Sequence, residues 1–154
     1  MEFNQLPRDV FEVVAKHIDS LEDIFSLKIS CSTALKMDYS IFSNCFLIIC
    51  RIGIYEVVER LIGSADVHAD DDCALRLASC NGHYNTTKLL LEHKADVHAD
   101  DDYALRCASH NGHYSIVELL LEHKANVYAL NDYAIRLSSH NGHYKVVELL
   151  KSYM

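Results

Sequence analysis

From Asp66 onward the apolar positions alternate between two kinds of block. In the stretch from Asp102, Ala104, Leu105, Cys107 and Ala108 are small or apolar at helical spacing. After Asn111-Gly112 a broader apolar face follows, made of Ile116, Val117, Leu119, Leu120 and Leu121. This pattern predicts a short helix capped by Asp102, a turn in which Gly112 takes the left-handed conformation, and a second helix over 114–122. His123-Lys124 puts polar groups at its end. The block recurs as DDCALRLASCNGHY from Asp71, DDYALRCASHNGHY from Asp101 and NDYAIRLSSHNGHY from Asn131, so Asp72, Asp102 and Asp132 are 30 residues apart. A fixed period of this length marks stacked units, since two such helices cannot bury their apolar faces alone. Stacking stabilises by roughly 1.5–3 kcal/mol for each large side chain fully buried. In the last copy Lys151 stands where Leu91 and Leu121 stood, a polar residue suited to a solvent-facing end.

The pattern Leu-x-Ala-x-x-Asn-Gly-His followed by Val-Glu-Leu-Leu-Leu resembles the ankyrin repeat, clearly over 66–154 and in degenerate form over 44–67, where Gly53-Ile54-Tyr55-Glu56-Val57-Val58 stands in for the turn and second helix. The resemblance implies an all-α solenoid of helix-turn-helix units (44–67, 68–97, 98–127 and 128–154) that binds a partner protein and is not an enzyme. Its usual period is about 33 residues. Three residues are missing here, and Tyr103-Ala104-Leu105-Arg106 replaces the usual helix-start motif. The expected consequence is a stubby finger without a regular hairpin. Thirty-residue units of this kind resemble those of giant DNA virus proteins (mimivirus-like).

Residues 1–43 read differently. Pro7 and Asp9 suit a helix start, and Val10, Val13, Val14, His17 and Ile18 follow helical spacing. Ser20 and Asp23 are spaced as a second cap, before Ile24, Leu27, Ile29 and Cys31. One reading is a helical cap over the open end of the stack. The pattern Leu-Pro-x-Asp-Val-Phe…Leu-Glu-Asp-Ile also resembles an F-box, which implies a Skp-type adaptor of a host cullin-RING ubiquitin ligase as partner, held by Leu6, Pro7, Val10, Ile18 and Leu21.

Charge narrows the partners. The net charge of −8 opposes phosphate backbones, so nucleic acid is not expected. The apolar stretch 41–55 is broken by Ser43, Asn44 and Arg51, too short and polar to span a bilayer. The first nine residues lack the basic region of a signal peptide. Six cysteines (Cys31, Cys45, Cys50, Cys73, Cys80, Cys107) follow no scaffold spacing, and they are expected to be reduced. A monomer in the cytoplasm is expected.

Three columns of chemistry run through the repeats. Asp72/Arg76, Asp102/Arg106 and Asp132/Arg136 are spaced as ion pairs on one helix, and the further acids Asp70, Asp71, Asp100 and Asp101 would make a negative strip that steers basic partners. Tyr103 and Tyr133, with Cys73 in the same column, suit an interface. The expected partner-binding residues on the concave side are Asp70, Asp71, Arg76, Asp100, Asp101, Tyr103, Arg106, Tyr133 and Arg136. Because copies 66–95 and 96–125 differ at seven positions, a repetitive face is expected. Tyr55, Tyr84, Tyr114 and Tyr144 are read as structural. Cys80/His83, His110/His113 and His140/His143 are metal-ligand types, and a metal-binding or redox protein is the alternative. Each of those pairs straddles a turn, so a structural role is expected, with no metal or cofactor. Phosphate-cradling, HExxH and nucleophile–base motifs are all missing.

Overall fold

The computed structural model describes residues 39–154, with side chains from residue 46 onward. The F-box-like segment, with Leu6, Pro7, Val10, Ile18 and Leu21, lies outside the described residues. Among the described residues there are eight helices and no strand. They are α1 (Tyr39–Ile52), α2 (Tyr55–Leu61), α3 (Ala69–Cys80), α4 (Tyr84–Glu92), α5 (Ala99–His110), α6 (Tyr114–Glu122), α7 (Ala129–His140) and α8 (Tyr144–Ser152). Consecutive helices pair into four units. The first helices stack in the order α1, α3, α5, α7, and the second helices in the order α2, α4, α6, α8.

Residue size explains the two layers. Ala74, Ala78, Ala104 and Ala108 are fully buried and let the first helices approach closely, while Leu75 and Leu105 fill the space between layers. The second layer contributes Leu90, Ile116, Leu120, Val146 and Leu150. Phe46, Ile49, Val57 and Val58 extend the same core into the first unit. Ile135, in register with Leu75 and Leu105, is half-buried.

Each first helix stops at the predicted glycine: Gly82, Gly112 and Gly142 have φ of 82, 74 and 75°. The following N–H folds back, as when His113 N–H donates to Ala108 O at 2.9 Å. The glycine serves a second end at Gly53 and Gly112, where a Cβ would collide with the ring of His83 or His143 from the next unit. Those rings bridge units. Nε2–H of His83 donates to Arg51 O (2.8 Å), that of His113 to Cys80 O (3.1 Å) and that of His143 to His110 O (3.0 Å).

The starts of α3, α5 and α7 depart from expectation. Asp70, Asp71 and Asp72 all have positive φ (52, 54, 53°), as do Asp100–Asp102 and Leu130–Asp132. A left-handed turn therefore opens α3, α5 and α7 and takes the place of a hairpin finger. Asp72 and Asp102 are not simple helix caps. Asp72 Oδ1 accepts the Asp96 N–H (2.8 Å) and pairs with His68 Nδ1 (3.1 Å). Asp102 Oδ1 accepts the Asn126 N–H (2.7 Å) and pairs with His98 Nδ1 (3.1 Å). Both carboxylates are buried and tie one unit to the loop of the next.

Candidate binding face

Four side chains of each first helix, at spacing i, i+3, i+4 and i+7, lie on the side away from the second layer. They are Cys73, Arg76, Leu77 and Cys80 on α3; Tyr103, Arg106, Cys107 and His110 on α5; Tyr133, Arg136, Leu137 and His140 on α7. None is buried, whereas Ala74, Leu75, Ala78 and Ser79 between them on α3 are. Only the arginine is the same in all three units. Three of the seven differences between copies 66–95 and 96–125 fall here, at Cys73/Tyr103, Leu77/Cys107 and Cys80/His110. The expected repetitive face is thus a varied one built on a repeated frame.

The arginines and tyrosines interleave. Tyr103 lies between the guanidiniums of Arg76 (5.6 Å to the ring centre) and Arg106 (5.2 Å). Tyr133 lies between Arg106 (5.9 Å) and Arg136 (5.1 Å). Such contacts are worth about 0.5–1 kcal/mol each where exposed. The left-handed turns fix the other side of each guanidinium by aiming carbonyls at it. Arg106 donates from Nε to Asp101 O (2.9 Å) and from Nη2 to Asp100 O (2.7 Å). Arg136 does the same to Asn131 O (3.1 Å) and Leu130 O (3.2 Å), and Arg76 reaches Asp70 O (2.8 Å). The expected pairs of Asp72 with Arg76, Asp102 with Arg106 and Asp132 with Arg136 are therefore not made. Arg76 instead pairs across units with Asp100 Oδ2 (3.0 Å). Asp70, Asp71, Asp100 and Asp101 are exposed beside this column, so the edge is mixed in charge rather than a pure negative strip.

Sulfur chemistry corrects a second expectation. Cys80 and Cys107 are disulfide-bonded, with Cα atoms 5.0 Å apart. Stacking brings the fourth face position of one unit against the third of the next, a diagonal contact that equal spacing along the chain does not reveal. Cys50 is buried and its thiol is pushed well above the usual range by that burial, with the nearby Cys73 adding to it. Burial also raises Cys73, against the opposing pull of Arg76. By the same diagonal register His110 meets Leu137, and there the face opens into a groove of about 290 Å³ lined by Tyr103, Arg106, Cys107, His110, Tyr133 and Leu137.

The remaining candidates sort by contact. Among the described residues no three His, Cys, Asp or Glu side chains gather as a metal would require. His83, His113 and His143 are occupied by the carbonyls already named, and Cys80 by its disulfide. Tyr84, Tyr114 and Tyr144 are exposed at the starts of second helices and do not enter the core. Tyr55 is half-buried, its hydroxyl donating to Glu59 Oε1 at 2.8 Å. No helix among the described residues is long and apolar enough to cross a membrane. A family model described as ankyrin repeats (3 copies) matches residues 46–131, more than half of the chain. No curated protein matches it.

Proposed function

This chain belongs to the ankyrin-repeat family, and from that premise we propose that it is a non-enzymatic protein–protein interaction module gripping its partner through the first-helix face. The observation that carries this reading is the fixed Arg76–Tyr103–Arg106–Tyr133–Arg136 column, whose guanidiniums are held by backbone carbonyls and whose rings are held by guanidiniums. Arg and Tyr are the side chains that dominate binding energy at interfaces, and here their ordering is complete before a partner arrives. Asp70, Asp71, Asp100 and Asp101 form its acidic margin.

The sequence of the first segment supports a finer role as substrate adaptor of a host cullin-RING ubiquitin ligase. Leu6, Pro7, Val10, Ile18 and Leu21 would hold the Skp-type adaptor while the stack holds the substrate. One experiment addresses both levels: affinity capture from cell lysate with quantitative mass spectrometry, using the full chain and two double variants. Arg106→Ala/Tyr133→Ala is expected to lose the substrate partner by at least tenfold and keep the adaptor. Leu6→Ala/Pro7→Ala is expected to do the reverse. Equal capture by the first variant removes the face as the binding site; no adaptor with the unaltered chain removes the ligase role and leaves the module.

A further inference from the structure

The three arginines of the column are equivalent by register but not by partner. Arg76 Nη1 holds the carboxylate of Asp100, which sits 24 residues ahead in the next unit's left-handed turn. The residue 24 ahead of Arg106 is Leu130, and Asn131 likewise replaces Asp101. Arg106 is held through Nε and Nη2 by carbonyls, so its Nη1 has no carboxylate partner. Leu130 keeps a left-handed φ of 50° without the short polar side chain that favours it, and it is 49% exposed. Strain of this sort tends to gather at functional positions.

The groove beside Arg106 is made of donors on an apolar floor. Asn141 Nδ2 donates to His110 O (2.8 Å) and to His110 Nδ1 (2.9 Å). With Nδ1 accepting, the neutral imidazole carries its proton on Nε2 and can donate it. The hydroxyls of Tyr103 and Tyr133 have no hydrogen-bond partner within the described residues. Cys107 and Leu137 supply the apolar floor, and no acidic residue lines the groove. The equivalent groove between α3 and α5 is crossed by the Cys80–Cys107 bond, and its arginine is already paired.

We propose that the groove between α5 and α7 is a carboxylate slot: it receives one Asp or Glu side chain of a partner segment, placed on Arg106 as Asp100 is placed on Arg76, with an apolar neighbour against Leu130. The proposal rests on the protein-binding reading and names the chemistry of what is bound. The remainder of that segment is basic, because Asp70, Asp71 and Asp101 stand exposed along the adjoining edge while Asp100 is already paired with Arg76.

The test is selection of a random dodecapeptide display library on the immobilised full chain, followed by titration of a synthetic winner. The expected winners carry a single acid next to an apolar residue in an otherwise basic segment. Replacing that acid by its amide is expected to weaken binding about tenfold, the scale of one charge-assisted hydrogen bond. Leu130→Asp supplies an internal carboxylate to Arg106 and is expected to cost a similar factor without altering the arginine; Arg106→Gln, checked for retained helicity, is expected to abolish the acid-to-amide difference. Winners that depend on Tyr133 yet tolerate both the amide swap and Leu130→Asp overturn the slot while leaving the binding face intact. Failure to enrich any peptide sensitive to Tyr133→Ala overturns the face and the slot together.

Discussion

At the scale of single residues, the runs Asp70–Asp72 and Asp100–Asp102 are backbone devices before they are charges. Three successive left-handed residues cost an ordinary L-residue about 1–2 kcal/mol each, and Asp and Asn are the side chains other than Gly that bear it best. Asp101 is exposed, and its carbonyl, not its side chain, is what Arg106 Nε engages. Asp101→Gly is therefore expected to raise the unfolding free energy by about 0.5–1 kcal/mol, and Asp101→Val to lower it by about 1–2 kcal/mol, since Val is β-branched at positive φ. Urea midpoints at unchanged slope would report both. A stabilising valine would mean that the turn is not left-handed. The sequence hid this turn because Asp favours helix caps and left-handed positions alike. The run of three is the available signal, yet spacing alone assigns Asp72 and Asp102 to capping and ion pairing with Arg76 and Arg106, and the other acids to a negative strip. Asp72 and Asp102 turned out to bond backbone of the following unit, a contact 24 residues away that local spacing cannot show.

Elements were legible where periodicity reports packing. The helices of the three clear units, their glycine turns and the interleaved layers follow from apolar spacing, since only stacking buries Leu75, Leu105 and Leu120 together. Contacts between non-equivalent columns were not legible, and the Cys80–Cys107 link between α3 and α5 is the clearest of them. Its sequence separation of 27 departs from the 30-residue repeat, so it joins neighbours on a diagonal. Closing a loop of that size stabilises by about 3.5 kcal/mol in the chain-entropy model, which for a chain of this length corresponds to roughly 10 °C in Tm. Burial keeps Cys50 and Cys73 protonated, so neither is a ready thiolate to reshuffle the bond. Reductant is thus expected to lower Tm by that amount in the native chain. Cys80→Ser/Cys107→Ser should start at the lower value and ignore reductant. Identical melting of the native chain with and without reductant, by calorimetry, would show that the link carries no stability.

For the molecule as a whole, field and site ask for different things. The net charge of −8, with Asp70, Asp71, Asp100 and Asp101 exposed beside the face, attracts basic segments over about one Debye length, roughly 8–10 Å at physiological salt. The slot at Arg106 acts only at contact and asks for an acid. A partner meeting both is steered by its basic residues and retained by its carboxylate, so the two contributions separate into association and dissociation rates. The association rate of a selected peptide is expected to fall several-fold from about 20 to 200 mM salt, as exposed charges are screened. Leu130→Asp adds one negative charge to the field while occupying Arg106. It should leave the association rate equal or slightly higher, and it should raise the dissociation rate about tenfold. Surface plasmon resonance on the native chain and this variant gives both numbers. An association rate that ignores salt would remove steering by the acidic margin. A Leu130→Asp effect carried by association alone would mean that position 130 acts through the field, with no carboxylate bound at Arg106.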